Sequence, residues 1–110
     1  MPKRQRYKVR WTHAAGQDLE SIVEFIARDN IGIAIQVLNK IRKAASKLKT
    51  LPERGRVVRE LAEFGLRIYH EILCPPWRII YRISPPNVFV IAVIDSRRNV
   101  EDILLERLTR

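Results

Sequence analysis

Arginines stand in this sequence where β-strand residues are expected, and they are the groups best suited to chemistry. In the run Trp77-Arg78-Ile79-Ile80-Tyr81-Arg82, strand alternation puts Arg78, Ile80 and Arg82 on one face and Trp77, Ile79 and Tyr81 on the other. Arg67 falls in the preceding β-rich run, and Arg97-Arg98 follow directly on the last one. A folded meander therefore draws several guanidinium groups together. Guanidinium stays charged at any accessible pH and presents a planar fork of donors, which suits a phosphate, whether bound or reacting. The same arginines also have carboxylates within reach along the chain, and pairing of Arg78, Arg82 and Arg97 with Glu71, Asp95 or Glu101 would make them a finished antiparallel surface instead. Tyr69 and Tyr81 are placed either to stack on bases or to pack across strands.

Other chemistries lack their residues. His13 and His70 are the two histidines, and no His/Cys/Asp/Glu cluster has metal-site spacing. The four glycines form no phosphate loop, and no serine sits in a nucleophile motif. Cys74 is the single cysteine, which excludes an internal disulfide and suits a reducing compartment. No cofactor is expected.

The elements that must position the arginines follow from periodicity. Tyr7, Val9 and Trp11 alternate with Lys8 and Arg10 as in a half-buried strand, and the Thr12 hydroxyl is placed to cap a helix. Leu19, Ile22, Val23 and Ile26 recur at helical spacing up to a break at Asp29-Asn30. A second stripe, Ala34, Val37, Leu38, Ile41, Ala45 and Leu48, predicts a helix from Ile31 to about Thr50, antiparallel to the first. Leu51-Pro52-Glu53-Arg54-Gly55-Arg56 is a basic loop leading from helices to sheet. Three β-rich runs, Leu66 to Leu73, Trp77 to Ile83 and Val88 to Ile94, are separated by Pro75-Pro76 and Ser84-Pro85-Pro86-Asn87 and read as a meander. Asn99 then caps a final helix whose apolar side is Val100, Ile103, Leu104 and Leu108. The fold expected is α+β, βααβββα, with an N-terminal helical hairpin packed on an antiparallel sheet and part of the other face open.

A chain of 110 residues, 46% hydrophobic and 30% charged, supports one domain over residues 1–110 with a basic N-terminal arm at about 1–6. The net charge of +9 points to an anionic partner, since each cation that neutralises a phosphate releases a counterion. No apolar run approaches the roughly 20 residues that span a bilayer, and the charged start precedes no signal-type block. The chain is therefore expected to be cytoplasmic, with no membrane partner.

Taken in order, Pro52-Glu53-Arg54-Gly55-Arg56, His70-Glu71-Ile72, Trp77-Arg78-Ile79-Ile80-Tyr81-Arg82-Ile83 and Val93-Ile94-Asp95-Ser96-Arg97-Arg98-Asn99 resemble the RelE/ParE superfamily of toxins over most of the chain. The resemblance implies a toxin of a type II toxin–antitoxin system, silenced in a hetero-oligomer by a cognate antitoxin that wraps the hairpin and sheet. The charge excess predicts that this antitoxin is acidic and covers Arg78 and Arg97.

The superfamily runs two activities on one scaffold. A RelE-like member cuts messenger RNA in the ribosome, and Arg78, Arg97 and Arg98 would then be catalytic, with Lys47, Lys49, Arg54 or Arg56 as loop cations. A ParE-like member poisons DNA gyrase and needs a binding surface, for which Lys47, Lys49, Arg54, Arg56, Arg67, Arg82 and Tyr81 are the candidates. Asp95 stands where ribonuclease relatives often carry histidine, and the last helix offers Leu104 and Leu105 but no tyrosine. The ParE-like reading is therefore preferred, with the RelE-like endonuclease as the alternative and a non-toxic basic nucleic-acid-binding protein as a third.

Overall fold

The computed structural model describes residues 6–109, so Lys3 and Arg4 of the basic arm lie outside the described residues. Strand β1 (Lys8–Trp11) leads into helices α1 (His13–Ala27) and α2 (Ile31–Ser46). Short 3₁₀ turns at Lys47–Lys49 and Pro52–Arg54 precede strand β2 (Arg56–Val57) and helix α3 (Arg59–Ala62). Strands β3 (Tyr69–Cys74), β4 (Trp77–Ser84) and β5 (Asn87–Asp95) form the meander, and α4 (Val100–Leu108) closes the chain.

Local chemistry sets the boundaries. The Thr12 hydroxyl accepts from Ala15 N at 3.2 Å, Asn30 Oδ1 from Ile33 N at 2.9 Å and Asn99 Oδ1 from Asp102 N at 3.1 Å. Each satisfies one of the amides that a helix start leaves without an intrahelical acceptor, a contribution of about 1 kcal/mol. Helix α3 ends on Gly65, whose φ of 80° suits glycine, with Gly65 N donating to Ala62 O and Leu66 N to Leu61 O.

This helix and the two-residue β2 are additions to the expected order. They take up the chain before the meander, so Arg67 lies in an exposed loop and β3 starts at Tyr69 rather than Leu66. Helix α2 also stops short of Thr50, its last turn tightening into the 3₁₀ segment.

The sheet order is β1-β5-β4-β3-β2. The meander is antiparallel, as its short turns require, whereas β1 pairs parallel with β5. The sheet is therefore mixed at that edge: the long helical hairpin after β1 frees its direction from the short-turn constraint.

Alternation gives the sheet two apolar faces. Ile72, Ile79, Tyr81, Val88, Val90 and Val93 meet Ala15 and Leu19 of α1 and Ile41 and Ala45 of α2. On the reverse face Ile80, Ala92 and Ile94 meet Val58, Leu61, Val100 and Leu104. A register shift opposite Ile80/Tyr81 skips Ile91, because Ile80 faces Ala92 while Tyr81 faces Val90. This bulge keeps both Val90 and Val93 on the hairpin side.

Candidate functional site

Opposite the helical hairpin, a cleft of about 480 Å³ is lined by Arg56, Arg59, Glu60, Glu71, Trp77, Arg78 and Ser96 among others. Register places Glu71 beside Arg56 on β2, and Leu73 beside Arg78 on β4, so these side chains share the α3 face of the sheet.

Arg78 lies in the floor, 8% exposed. Its Nη1 and Nη2 each donate to the Glu60 carboxylate at 2.7 Å, and its Nε donates to Glu71 Oε1. Glu71, 2% exposed, accepts a further bond from Arg56 Nε at 2.9 Å. The result is a chain of alternating charge, Arg56–Glu71–Arg78–Glu60, in which each buried charge has its opposite. The bonds from Arg78 hold the Glu60 pKa down to about 2, and the same bonds, Glu60 first, raise that of Arg78.

The expectation that Arg78 presents a free fork to phosphate is corrected by this arrangement. Its Nε and its Nη1–Nη2 fork are engaged within the chain, as in the alternative in which Arg78 pairs with Glu71. Glu71 was legible as one candidate partner because it lies in the β-rich run that pairs with that of Arg78 in a meander. Glu60 was not, since it belongs to a helical turn that periodicity does not mark.

A second cleft of about 530 Å³ lies on the other side of Trp77, between α1 and the end of β5. It is lined by Ile22, Phe25, Ile26, Asp95, Arg97 and Arg98 among others. Asp95 Oδ1 accepts from Arg97 N and Nε, both at 2.9 Å, and Oδ2 from Nη2 at 2.6 Å. The Arg97 fork lowers the Asp95 pKa to about 2. Arg97 is nonetheless exposed and presents its outer edge to solvent, as does its neighbour Arg98.

The remaining candidates are dispersed. Tyr81 is fully buried, its hydroxyl donating to Pro52 O at 2.6 Å and accepting from Gly55 N at 3.0 Å, and burial pushes its pKa up. It holds the basic loop against the sheet, which corrects its assignment as a contact residue for a base or target. Gly55 permits this approach, because a Cβ there would collide with Glu71 O and the Tyr81 hydroxyl.

Arg54 and Arg56 share a shallow groove at the β2–β3 edge. Lys47 and Lys49 are exposed on their 3₁₀ turn, and Arg67 on the loop before β3; none of the three lines either cleft. Arg82 sits with its guanidinium 5.7 Å from the Phe89 ring centroid. His70 stacks on Tyr81 at 5.9 Å, on the face opposite the Arg78 cleft, so it supplies no base there. Among the described residues no group of three His, Cys, Asp or Glu is disposed to hold a metal ion.

Comparison with known proteins adds an independent line. Residues 9–100 match the family model of the ParE toxin of the type II toxin–antitoxin system parDE. Toxin ParE3 of Caulobacter vibrioides is 27% identical over 90 residues, 81% of this chain and 86% of that protein. Among solved structures, a chain of the chromosomal ParDE toxin–antitoxin system from P. aeruginosa superposes with a TM-score of 0.69 at 14% identity, covering 83% of this chain and 97% of that one. A chain of the RelBE2 toxin–antitoxin complex from Mycobacterium tuberculosis gives 0.61 at 22% identity, covering 82% and 98%. At these identities the structural likeness is one of fold.

Proposed function

The chain belongs to the ParE family of type II toxins, and on that premise we propose that it arrests growth by poisoning DNA gyrase and is neutralised in a cytoplasmic complex with a cognate antitoxin. The observation that carries the choice of target is the closed ion-pair chain around Arg78. Ribosome-dependent RNA cleavage needs a cation free to take the scissile phosphate and groups able to move protons at neutral pH. In the cleft Arg78 is committed to Glu60 and Glu71, and a carboxylate held at about 2 is a weak base. A gyrase poison needs a binding surface instead. The second cleft supplies one: the exposed Phe25 beside Ile22 and Ile26, rimmed by Arg97 and Arg98. An apolar bed with a cationic rim also suits an acidic antitoxin, which here would cover Arg97 rather than Arg78.

The test is to induce the chain without its antitoxin and follow thymidine and methionine incorporation over the first minutes. The gyrase reading expects DNA synthesis to fall first, with gyrase-linked cleaved DNA accumulating. A first collapse in methionine incorporation would transfer the assignment to the ribosome. No effect on either would remove the toxin activity.

A further inference from the structure

Beyond both clefts, at the far end of the α4 face of the sheet, register aligns four side chains across four strands. Arg10 of β1 faces Phe89 of β5, Phe89 faces Arg82 of β4, and Arg82 faces Tyr69 of β3. Lys8, Asn87 and Ser84 form the next row on the same face. Facing residues on paired strands project from one side of a sheet, so the surface alternates cation, aromatic, cation, aromatic over about 14 Å. No carboxylate belongs to either row. Lys8 and Arg10 are exposed, while Phe89, Arg82 and Tyr69 are half-buried. Tyr69 also packs against the apolar cluster under α4, whereas Phe89 is part of neither core cluster. Its ring meets the Arg82 guanidinium at 5.7 Å.

We propose that this face is a platform for single-stranded nucleic acid. Aromatic rings flanked by guanidinium groups on a cationic surface with no carboxylate in its two rows suit unpaired bases and the phosphates that join them. Bases stack on Phe89 and on the Arg82 plane, while Arg10 and Lys8 meet the backbone phosphates. Duplex DNA fits poorly, because its bases are already stacked and offer no ring face to Phe89. The surface is separate from the Arg78 and Arg97 clefts and does not depend on gyrase as the target.

The experiment is fluorescence anisotropy of the purified full-length chain with a labelled oligothymidylate of about 15 nucleotides, across a salt series. Phe89→Leu keeps an apolar side chain and removes the ring, and is expected to weaken binding by at least about fivefold; Phe89→Trp restores it. Lys8→Gln with Arg10→Gln should flatten the log–log salt slope by about 1.4, the value for two phosphate contacts on a single strand. Arg82→Gln provides a second weakened variant, and thermal melts establish that each variant folds. The proposal is overturned if the oligonucleotide does not bind at low salt, if Phe89→Leu binds as the parent does, or if a duplex of equal length binds as tightly. No cell-growth or gyrase readout enters, so failure here leaves the toxin reading standing, and failure of that reading leaves this one to be decided by its own measurement.

Discussion

Arg107 of α4 grips Asp18 of α1 across a separation of 89 residues, its Nη1 and Nη2 donating to the carboxylate at 2.5 and 2.9 Å. Strand β1 ends at Trp11, opposite Val90, and among the described residues the rest of that β5 edge has no strand partner. The ion pair fills that gap. Asp18 Oδ2 accepts from Val93 N at 2.9 Å, and Arg107 Nη1 donates to Ile91 O at 3.2 Å. An exposed strand edge invites pairing with another chain, and here two side chains close it while tying the helices of both faces together.

Replacing Asp18 by Ala leaves Val93 N–H without its acceptor and Arg107 without its counter-charge. The expected loss is about 2 kcal/mol in denaturant unfolding, with faster hydrogen exchange at the Val93 amide. Unchanged protection at Val93 would show that the edge is held by something else.

Arg78→Met strands the buried Glu71 beside Arg56 alone, and should destabilise the fold by about 3 kcal/mol or more. Adding Glu71→Leu removes the orphaned charge and is expected to recover much of the loss, because the pair offsets its own desolvation more than it adds net stability. Additive costs in the double-mutant cycle would contradict the coupling drawn from the geometry.

Acid unfolding should report Glu60. Its folded pKa, about 2, lies below its ordinary value of 4.5, so the stability it contributes is fully present above about 4.5 and is lost as pH falls toward 2. Glu60→Gln should flatten the stability–pH curve across that window. Asp95, also lowered to about 2, titrates there too, but its contribution is smaller because its partner Arg97 is solvated.

Tyr81→Phe deletes the hydroxyl that links Pro52 O and Gly55 N, at an expected cost of about 1–3 kcal/mol by thermal or urea denaturation. Gly55→Ala should cost more, since the added Cβ meets backbone as well as the hydroxyl. A neutral Tyr81→Phe would mean that water replaces the hydroxyl without loss.

Arg97→Ala with Arg98→Ala tests the toxin surface. Both side chains are exposed and neither belongs to a core cluster, so the thermal midpoint should hold while growth arrest on induction is reduced. Full growth arrest from a stably folded variant would exclude both arginines from the target surface.

Much of the architecture was legible because it rests on local patterns. The Thr12 and Asn99 caps, the break at Asp29-Asn30, the helical stripes and the three-strand meander each follow from neighbouring residues, and the structure contains them all. Elements too short to show a period were not legible: β2 has two residues and α3 four. The parallel pairing of β1 with β5 joins distant segments and leaves no local mark.

The candidate site divides along the same line. Residue type and alternation determined by themselves that Arg78, Ile80 and Arg82 share a face, because a strand has a period of two whatever packs upon it. Tertiary structure alone decided what these strand side chains contact. It brought Glu60 from α3 onto Arg78, set Phe89 beside Arg82, and buried Tyr81 against the loop of Pro52 and Gly55. Whether an arginine is free for a ligand or spent on a carboxylate depends on which distant oxygen arrives within about 3 Å, and that is fixed by chain packing rather than by the identity of its neighbours in sequence.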